Sequence, residues 1–248
     1  MKKLLLITLF LTQSLFAIVS IVPIEIGENV GLHSKIGLSL QTQRGNTDKD
    51  NYKGSAKVTY DSNTTYVTSL EFSAAYGETN NKEDTNKAYV HFRYVYALSE
   101  KALRAELFLQ TQEDKFKAIE YRRLLGLGLR LKLGKFIKNG SGYIGVGAFY
   151  ENIHYLEDTN NNKNIVLNNY LAYSIKFSKE TTLAYRLDFQ PIYNEFKDYI
   201  LIQKLRLNVK LYENLSLQVT MIHDVDSNPA EGIDKNDFTQ TTGFIYSF

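Results

Sequence analysis

The sequence predicts an all-β protein, a single antiparallel transmembrane β-barrel of about twelve strands joined as an up-and-down meander. Most of the chain consists of segments about ten residues long in which apolar and polar residues alternate. This is the pattern of a strand with one face in lipid and the other in a polar lumen. The last segment ends on Phe248, with Phe244 and Tyr246 on the same face. Tyr, Phe and Pro number 18, 14 and 3, which favours continuous strands.

The chain begins with residues 1–17, which we expect to be a cleaved signal peptide. Lys2 and Lys3 precede a short apolar core, and a small residue closes the stretch. The core is too short to cross a bilayer as a helix. Residues 18–30 are expected to form a short N-terminal segment, for which the sequence indicates no role. The barrel is then expected to occupy residues 31–248.

Composition excludes several classes of protein. Removing the two leader lysines reduces the 29 basic residues to 27, which equals the 27 acidic residues. A neutral mature chain has no general attraction for nucleic acid. The absence of cysteine excludes disulfides and thiolate metal sites in an exported protein.

The strands follow from the alternation, which is clear in the third strand, where Leu70 and Phe72 lie on one face and Glu71 and Ser73 on the other. A strand face of this kind has a period of two residues. The twelve predicted strands cover residues 31–43, 51–60, 64–77, 87–98, 101–112, 120–133, 142–155, 166–177, 181–190, 198–211, 215–224 and 238–248.

The predicted connections alternate in length and composition. One set is polar and mostly long, as expected of extracellular loops, and the other set is tight, as expected of periplasmic turns. Residues 134–141 are longer than the rest of their set. The predicted loops are residues 44–50, 78–86, 113–119, 156–165, 191–197 and 225–237, and the tight turns are residues 61–63, 99–100, 178–180 and 212–214.

Alternation also fits a secreted soluble sandwich or lipocalin-like barrel with its apolar face inward. Four features favour the membrane barrel: strands longer than the usual five or six residues, unequal connections, aromatic residues near strand ends such as Tyr66 and Tyr76, and a chain that ends on a strand.

Several stretches resemble the bacterial outer-membrane barrels grouped as domain of unknown function 481, often labelled salt-induced outer-membrane proteins. The resemblance covers about residues 31–248 and depends on the order and spacing of motifs, none of which is specific alone. It implies a Gram-negative outer membrane and no established substrate. The chain has Asn228-Pro229-Ala230 where a more proline-rich turn is expected. The motifs are Gln43-Arg44-Gly45-Asn46-Thr47, Tyr76-Gly77-Glu78-Thr79-Asn80, Gln110-Thr111-Gln112-Glu113-Asp114-Lys115-Phe116, Arg122-Arg123-Leu124-Leu125-Gly126-Leu127-Gly128 and Asp226-Ser227-Asn228-Pro229-Ala230-Glu231-Gly232-Ile233.

If the apolar faces point to lipid, the polar faces line the lumen and contain more cations than acids. A basic ring favours anions, and the excess acid lies in the predicted loops. The predicted inward cations are Lys35, Lys53, Lys57, Arg93, Arg104, Arg130, Lys132, Lys176, Arg186, Lys204, Arg206 and Lys210, and the inward acids are Glu71, Glu106, Glu151 and Asp188.

Two functions remain open. One is a narrow passive pore whose inward Arg and Lys attract a small anionic solute. The other is a non-conducting envelope barrel that acts through its extracellular loops, with the same side chains filling the interior as cross-strand pairs. Expected partners in both cases are the lipid bilayer, lipopolysaccharide and the barrel-assembly machinery, which would contact the C-terminal strand ending in Phe248.

Neither catalysis nor a cofactor is expected. His154 and Asn152 share an outward face near the outer rim, with Asn169 outward on the next strand, but no serine at close spacing completes a nucleophile–base pair. The four histidines are scattered and do not provide the paired acids and histidine of a rim protease.

A metal site is not expected either. Asp224, Asp226 and Asn228 resemble the start of a calcium loop, but Pro229 replaces the turn glycine and Lys235 the bidentate acid. A solvated acidic loop is the better interpretation.

Overall fold

The structure, a computed structural model, describes residues 23–43, 49–99, 102–133, 139–156 and 162–248. It contains twelve strands and one short 3-10 helix, η1 (Lys115–Lys117), within that part of the chain. The strands are β1 (Gly31–Gln43), β2 (Lys49–Asp61), β3 (Tyr66–Thr79), β4 (Lys82–Ala97), β5 (Leu103–Asp114), β6 (Ile119–Leu133), β7 (Gly140–Tyr155), β8 (Asn162–Lys176), β9 (Thr181–Ile192), β10 (Glu195–Lys210), β11 (Leu215–Asp226) and β12 (Asn236–Ser247).

The strands form one closed barrel in which each strand pairs antiparallel with its neighbours in sequence, and β1 pairs with β12. The predicted twelve-stranded meander is therefore confirmed. At the closure Leu38 lies opposite Phe244, and Ser34 and Phe248 exchange two backbone hydrogen bonds of 2.8 and 3.0 Å. Both ends of the barrel chain lie at the same rim, which we call the periplasmic end; the other rim is the extracellular end.

Strand positions agree with the alternation, but two connections are much shorter than expected. The predicted long loops at residues 78–86 and 191–197 are wrong. Asn80 and Asn81, both with positive φ, form the whole β3–β4 connection, a geometry that Asn tolerates in hairpin turns. Tyr193 and Asn194 alone join β9 to β10. Polar residues there continue the strands beyond the membrane, where an outward face need not be apolar.

The outward face of the barrel is an apolar belt. On β6, Leu125, Leu127, Leu129 and Leu131 are 45–64% exposed, while Arg130 between them is fully buried. A closed barrel leaves no unpaired strand edge, so an apolar belt around it suits a lipid bilayer.

Buried apolar side chains pack inside the barrel on one side. Phe108, Leu124, Phe149 and Val166 form a buried cluster on the inner faces of β5 to β8. Gly126 lies opposite Phe108, and a Cβ at Gly126 would overlap the phenylalanine ring. The glycine is therefore needed to make room for an aromatic ring in the lumen.

Some predictions fall on residues outside the described ranges. These are the expected signal peptide, residues 18–22 of the N-terminal segment, parts of four expected connections at residues 44–48, 100, 134–138 and 157–161, and residue 101 of the fifth predicted strand. Within the ranges that are described, no helix is long and apolar enough to cross a membrane.

Candidate functional site

The lumen is the candidate site. Of the residues predicted to face it, eight are buried, whereas Lys35, Lys176 and Lys210 are exposed. The buried ones are Lys53, Glu71, Arg104, Glu106, Arg130, Glu151, Arg186 and Asp188. Their contribution to selectivity remains a prediction. The structure adds inward cations that the sequence interpretation missed, Lys87 and Arg122, both of which line the extracellular half of the lumen. Extending the alternation of β4 and β6 to the strand ends would have found both.

The centre of the lumen is a hydrogen-bonded group around Glu106. Arg130 donates from Nη1 to Glu106 Oε1 at 3.0 Å, and the Tyr170 hydroxyl donates to Oε2 at 2.9 Å. Arg93 lies 3.9 Å from the same carboxylate. The Arg130 guanidinium also lies over the Tyr143 ring, 5.3 Å from its centroid. Glu106 is thus neutralised by two arginines from neighbouring strands.

Other inward cations are paired in the same way. Arg186 donates to Asp188 from Nε and Nη2, at distances down to 2.6 Å, and its guanidinium lies 3.9 Å from the centroid of the Tyr170 ring. Lys57 pairs with Glu71 at 3.3 Å. The missed residue Arg122 pairs with Glu151 across β6 and β7. These pairs fix the side chains and cancel much of the field expected from a count of inward cations.

The N-terminal segment closes part of the periplasmic end. Glu25 is only 6% exposed and pairs with Arg104 at 3.3 Å and Lys132 at 3.2 Å. Arg130 Nη2 donates to the Ile24 carbonyl at 2.8 Å. We call residues 23–30 the arm. These contacts hold its first residues inside the barrel, where Pro23 and Glu25 are buried, while residues 27–30 are exposed. The sequence indicated no role for this segment.

The arm is anchored by its backbone as well. The amides of Gly27 and Asn29 donate to the Asp61 carboxylate at 2.9–3.2 Å, at the end of β2. A charged residue in an otherwise apolar stretch, Glu25, was the available signal, but its partners on β5 and β6 could not be identified without the fold.

Three lysines of the lumen lie beyond ion-pair distance of the described carboxylates. In the part of the chain that the structure describes, Lys35, Lys53 and Lys204 have no carboxylate within 4.0 Å. Arg206 lies within electrostatic range of all three and donates to the Thr220 hydroxyl at 3.3 Å. We call Lys35, Lys53, Lys204 and Arg206 the basic cluster. It lies on β1, β2 and β10, away from the packed side of the lumen.

A cavity of about 840 Å³ occupies the extracellular half of the lumen. Lys53, Arg93, Arg186 and Lys204 contribute to its deeper wall. Carboxamides line one side, at Gln110, Gln112, Asn164, Asn168 and Gln190. Acids line the mouth, at Asp198, Asp226, Glu231 and Asp234.

Ion pairs of Lys117 span the mouth of the cavity. Lys117 on η1, between β5 and β6, pairs with Asp224 at 2.8 Å and Asp237 at 2.9 Å. These acids lie on β11 and β12, six strands away in a ring of twelve. The sequence predicts a loop at Asp237, but the structure places both acids in strands, where they line the cavity. Asp114 caps η1 by accepting from the amides of Phe116 and Lys117.

The residues considered for catalysis do not form a catalytic group. His154 lies 3.2 Å from Glu120 and stacks on Tyr121. Asn169 pairs with Val146, six residues along β7 from Asn152, or about 20 Å at the usual rise per residue. The described residues contain no group of three or more His, Cys, Asp or Glu that could hold a metal.

A family model described as "Protein of unknown function, DUF481" matches residues 36–248. The chain belongs to this family. No curated protein matches the DUF481 chain.

Solved structures similar to the DUF481 barrel are outer-membrane proteins. The translocator domain of the autotransporter NalP from Neisseria meningitidis has a TM-score of 0.55 at 9% identity, covering 89% of this chain and 90% of that chain. The COG4313 outer membrane channel from Pseudomonas putida F1 has a TM-score of 0.55 at 12% identity, covering 91% and 100%. The KdgM porin has a TM-score of 0.48 at 13% identity, covering 88% and 99%.

At these identities the likeness shows the fold alone, which is that of outer-membrane barrels and channels. Together with the apolar belt, this fold indicates an outer-membrane location for the DUF481 barrel. Cleavage of residues 1–17 and induction by salt remain predictions.

Proposed function

We propose that the protein is a narrow passive channel of the outer membrane that prefers small anionic solutes. The observation that carries the proposal is the basic cluster, in which Lys35, Lys53 and Lys204 have no acid within ion-pair distance among the described residues. Elsewhere in the lumen, cations such as Arg130 and Arg186 have a carboxylate partner.

The position of the cluster supports an anion preference. Cations in a narrow passage with low-dielectric walls attract anions more strongly than the same charges in open water. The acids Asp226, Glu231 and Asp234 lie at the wide mouth, where salt and water screen them more effectively. On this proposal the basic cluster, and not the acids of the mouth, determines selectivity.

The amount of free space supports a small solute. A barrel of twelve strands is wider than the eight-stranded barrels that side chains fill completely, and narrower than general porins. The width of the passage is reduced further by the buried cluster on β5 to β8, by the arm, and by the ion pairs of Lys117 across the mouth. Lysine side chains of the basic cluster are flexible enough to move aside for a permeating ion.

A second candidate, a non-conducting envelope barrel, is favoured by one specific feature. Arg130 is fully buried between Glu106 and the arm, so the interior is closed by side chains in that region. Under this alternative the paired arginines act as internal struts, and the extracellular loops perform the function.

Removing charge from the basic cluster distinguishes the anion-preferring channel from the non-conducting envelope barrel. The test variant is Lys53→Gln/Lys204→Gln, and the matched control is Lys115→Gln/Lys197→Gln, which removes two cations from the exposed extracellular rim. We expect the reversal potential under a KCl gradient to move toward cation preference in the test variant only. An unchanged reversal potential in a conducting test variant would refute the basic cluster as the selectivity element. Channels silent in all folded forms would favour the envelope barrel.

A further inference from the structure

The lipid-facing surface contains one arginine that breaks the pattern of the barrel. Of the arginines in the described strands, Arg123 alone points outward; its neighbour Arg122 points into the lumen and pairs with Glu151. Arg123 is exposed near the extracellular end of β6. Charged side chains are disfavoured on the lipid face except near the interfaces, so Arg123 marks a position at headgroup depth.

The register places a second cation in the same row. Arg123 lies opposite Asn152 on β7, and Asn152 lies opposite Lys163 on β8. With strands 4.7–4.9 Å apart, Arg123 and Lys163 are about 10 Å apart, with an amide between them. Both cations are exposed.

The row immediately toward the membrane is apolar. Leu125, Tyr150 and Ile165 occupy the next outward positions on the same three strands and are 47–55% exposed. Cations above an exposed apolar strip match a molecule with an anionic head and acyl chains.

The local contacts leave both cations available to a ligand. The Arg123 guanidinium lies over the Tyr121 ring, 4.6 Å from its centroid, and Tyr121 stacks on His154. The nearby acid Glu120 pairs with His154 at 3.2 Å. Within the described ranges neither Arg123 nor Lys163 has an ion pair, so the aromatic ring orients Arg123 without neutralising it.

We propose that Arg123, Asn152 and Lys163 form a binding site for the phosphate-bearing headgroup of an outer-leaflet lipid, whose acyl chains lie along Leu125, Tyr150 and Ile165. The guanidinium binds phosphate through two parallel hydrogen bonds, the ammonium contributes a point charge, and the amide donates a further hydrogen bond. The site is on the outside of the barrel and does not depend on whether the lumen conducts.

Native mass spectrometry of the folded barrel in detergent tests this site, with bisphosphorylated lipid A as the probe and its fully dephosphorylated form as the comparison. The variant is Arg123→Gln/Lys163→Gln, and the matched control is Lys115→Gln/Lys197→Gln at the same rim. We expect the variant to lose affinity for the phosphorylated probe by about tenfold, and the control to bind like the wild type. Millimolar inorganic phosphate should not compete if the apolar strip contributes.

Three results would overturn the site. They are equal affinity of the variant and the control, equal binding of both probes by the wild type, and displacement of the lipid by inorganic phosphate, which would indicate a simple anion site. Heat-modifiable migration in gels verifies folding of each variant. If the double variant does not fold, the single variants Arg123→Gln and Lys163→Gln are each expected to show part of the loss.

Discussion

Single side chains in this barrel have different environments on the two faces of one strand. Along β6, outward leucines alternate with inward Gly126, Gly128 and Arg130. The loss in the free energy of unfolding caused by a substitution therefore depends on the face that is changed. One substitution on each face tests this.

On the lipid face, Leu127→Arg is expected to lower the free energy of unfolding by about 2–4 kcal/mol, because Leu127 lies near the middle of β6 and the arginine would enter the bilayer midplane. Leu211→Arg, in an exposed turn at the periplasmic end, is the control and should cost about 0–1 kcal/mol. Denaturant unfolding in lipid vesicles measures both. Equal costs would show that the assignment of the lipid face is wrong.

On the lumen face, Glu106→Gln is expected to cost about 3–5 kcal/mol. Removing this buried charge leaves Arg130 with Glu25 alone, at 4.0 Å, and removes the carboxylate that pairs with Arg93. The control is Glu83→Gln, which removes the acid of an ion pair with Lys115 at the extracellular rim and should have little effect. The same unfolding measurement applies. A Glu106 variant as stable as the control would mean that solvent enters the centre of the lumen.

At the scale of elements, the arm is the part of the molecule whose position depends on charge. Burial alone would raise the pKa of Glu25, but Arg130, Lys132 and Arg104 outweigh burial and hold the pKa below its usual value of 4.5. A carboxyl with a lowered folded-state pKa stabilises the arm above its unfolded pKa, and this stabilisation is lost as the pH falls through the folded value.

We therefore expect the arm to stay docked at neutral pH and to detach only when the pH falls through the lowered pKa of Glu25. Hydrogen exchange at the amides of Gly27 and Asn29 measures this release. The variant Glu25→Gln removes the charge without a change of pH, so its arm should exchange rapidly at pH 7. Slow exchange in that variant at pH 7 would show that the charge of Glu25 does not hold the arm.

Most elements could be predicted from the sequence, because the two-residue period and the membrane belt determine them together. The bounds of β1 are the predicted ones, residues 31–43. Prediction failed where strands leave the membrane, as at Lys82–Asn86, since polar residues there resemble a loop. Prediction also failed for contacts between distant segments. Glu25 and Lys117 lie outside the strands, so the alternation does not identify the residues with which they pair across the barrel.

At the scale of the whole molecule, the two sides of the lumen differ. Buried apolar side chains pack on β5 to β8, while the basic cluster on β1, β2 and β10 includes lysines with no carboxylate within 4.0 Å in the described chain. A closed barrel provides the rigid frame, and the arm and Lys117 narrow its two ends. A channel with this arrangement should conduct weakly and favour anions.

Single-channel recording of the refolded mature barrel in a planar bilayer under a KCl gradient tests this claim most directly. We expect steady openings of small conductance, with a reversal potential that favours chloride over potassium. Silence from a barrel shown to be folded and inserted, or a reversal potential that favours potassium, would contradict it.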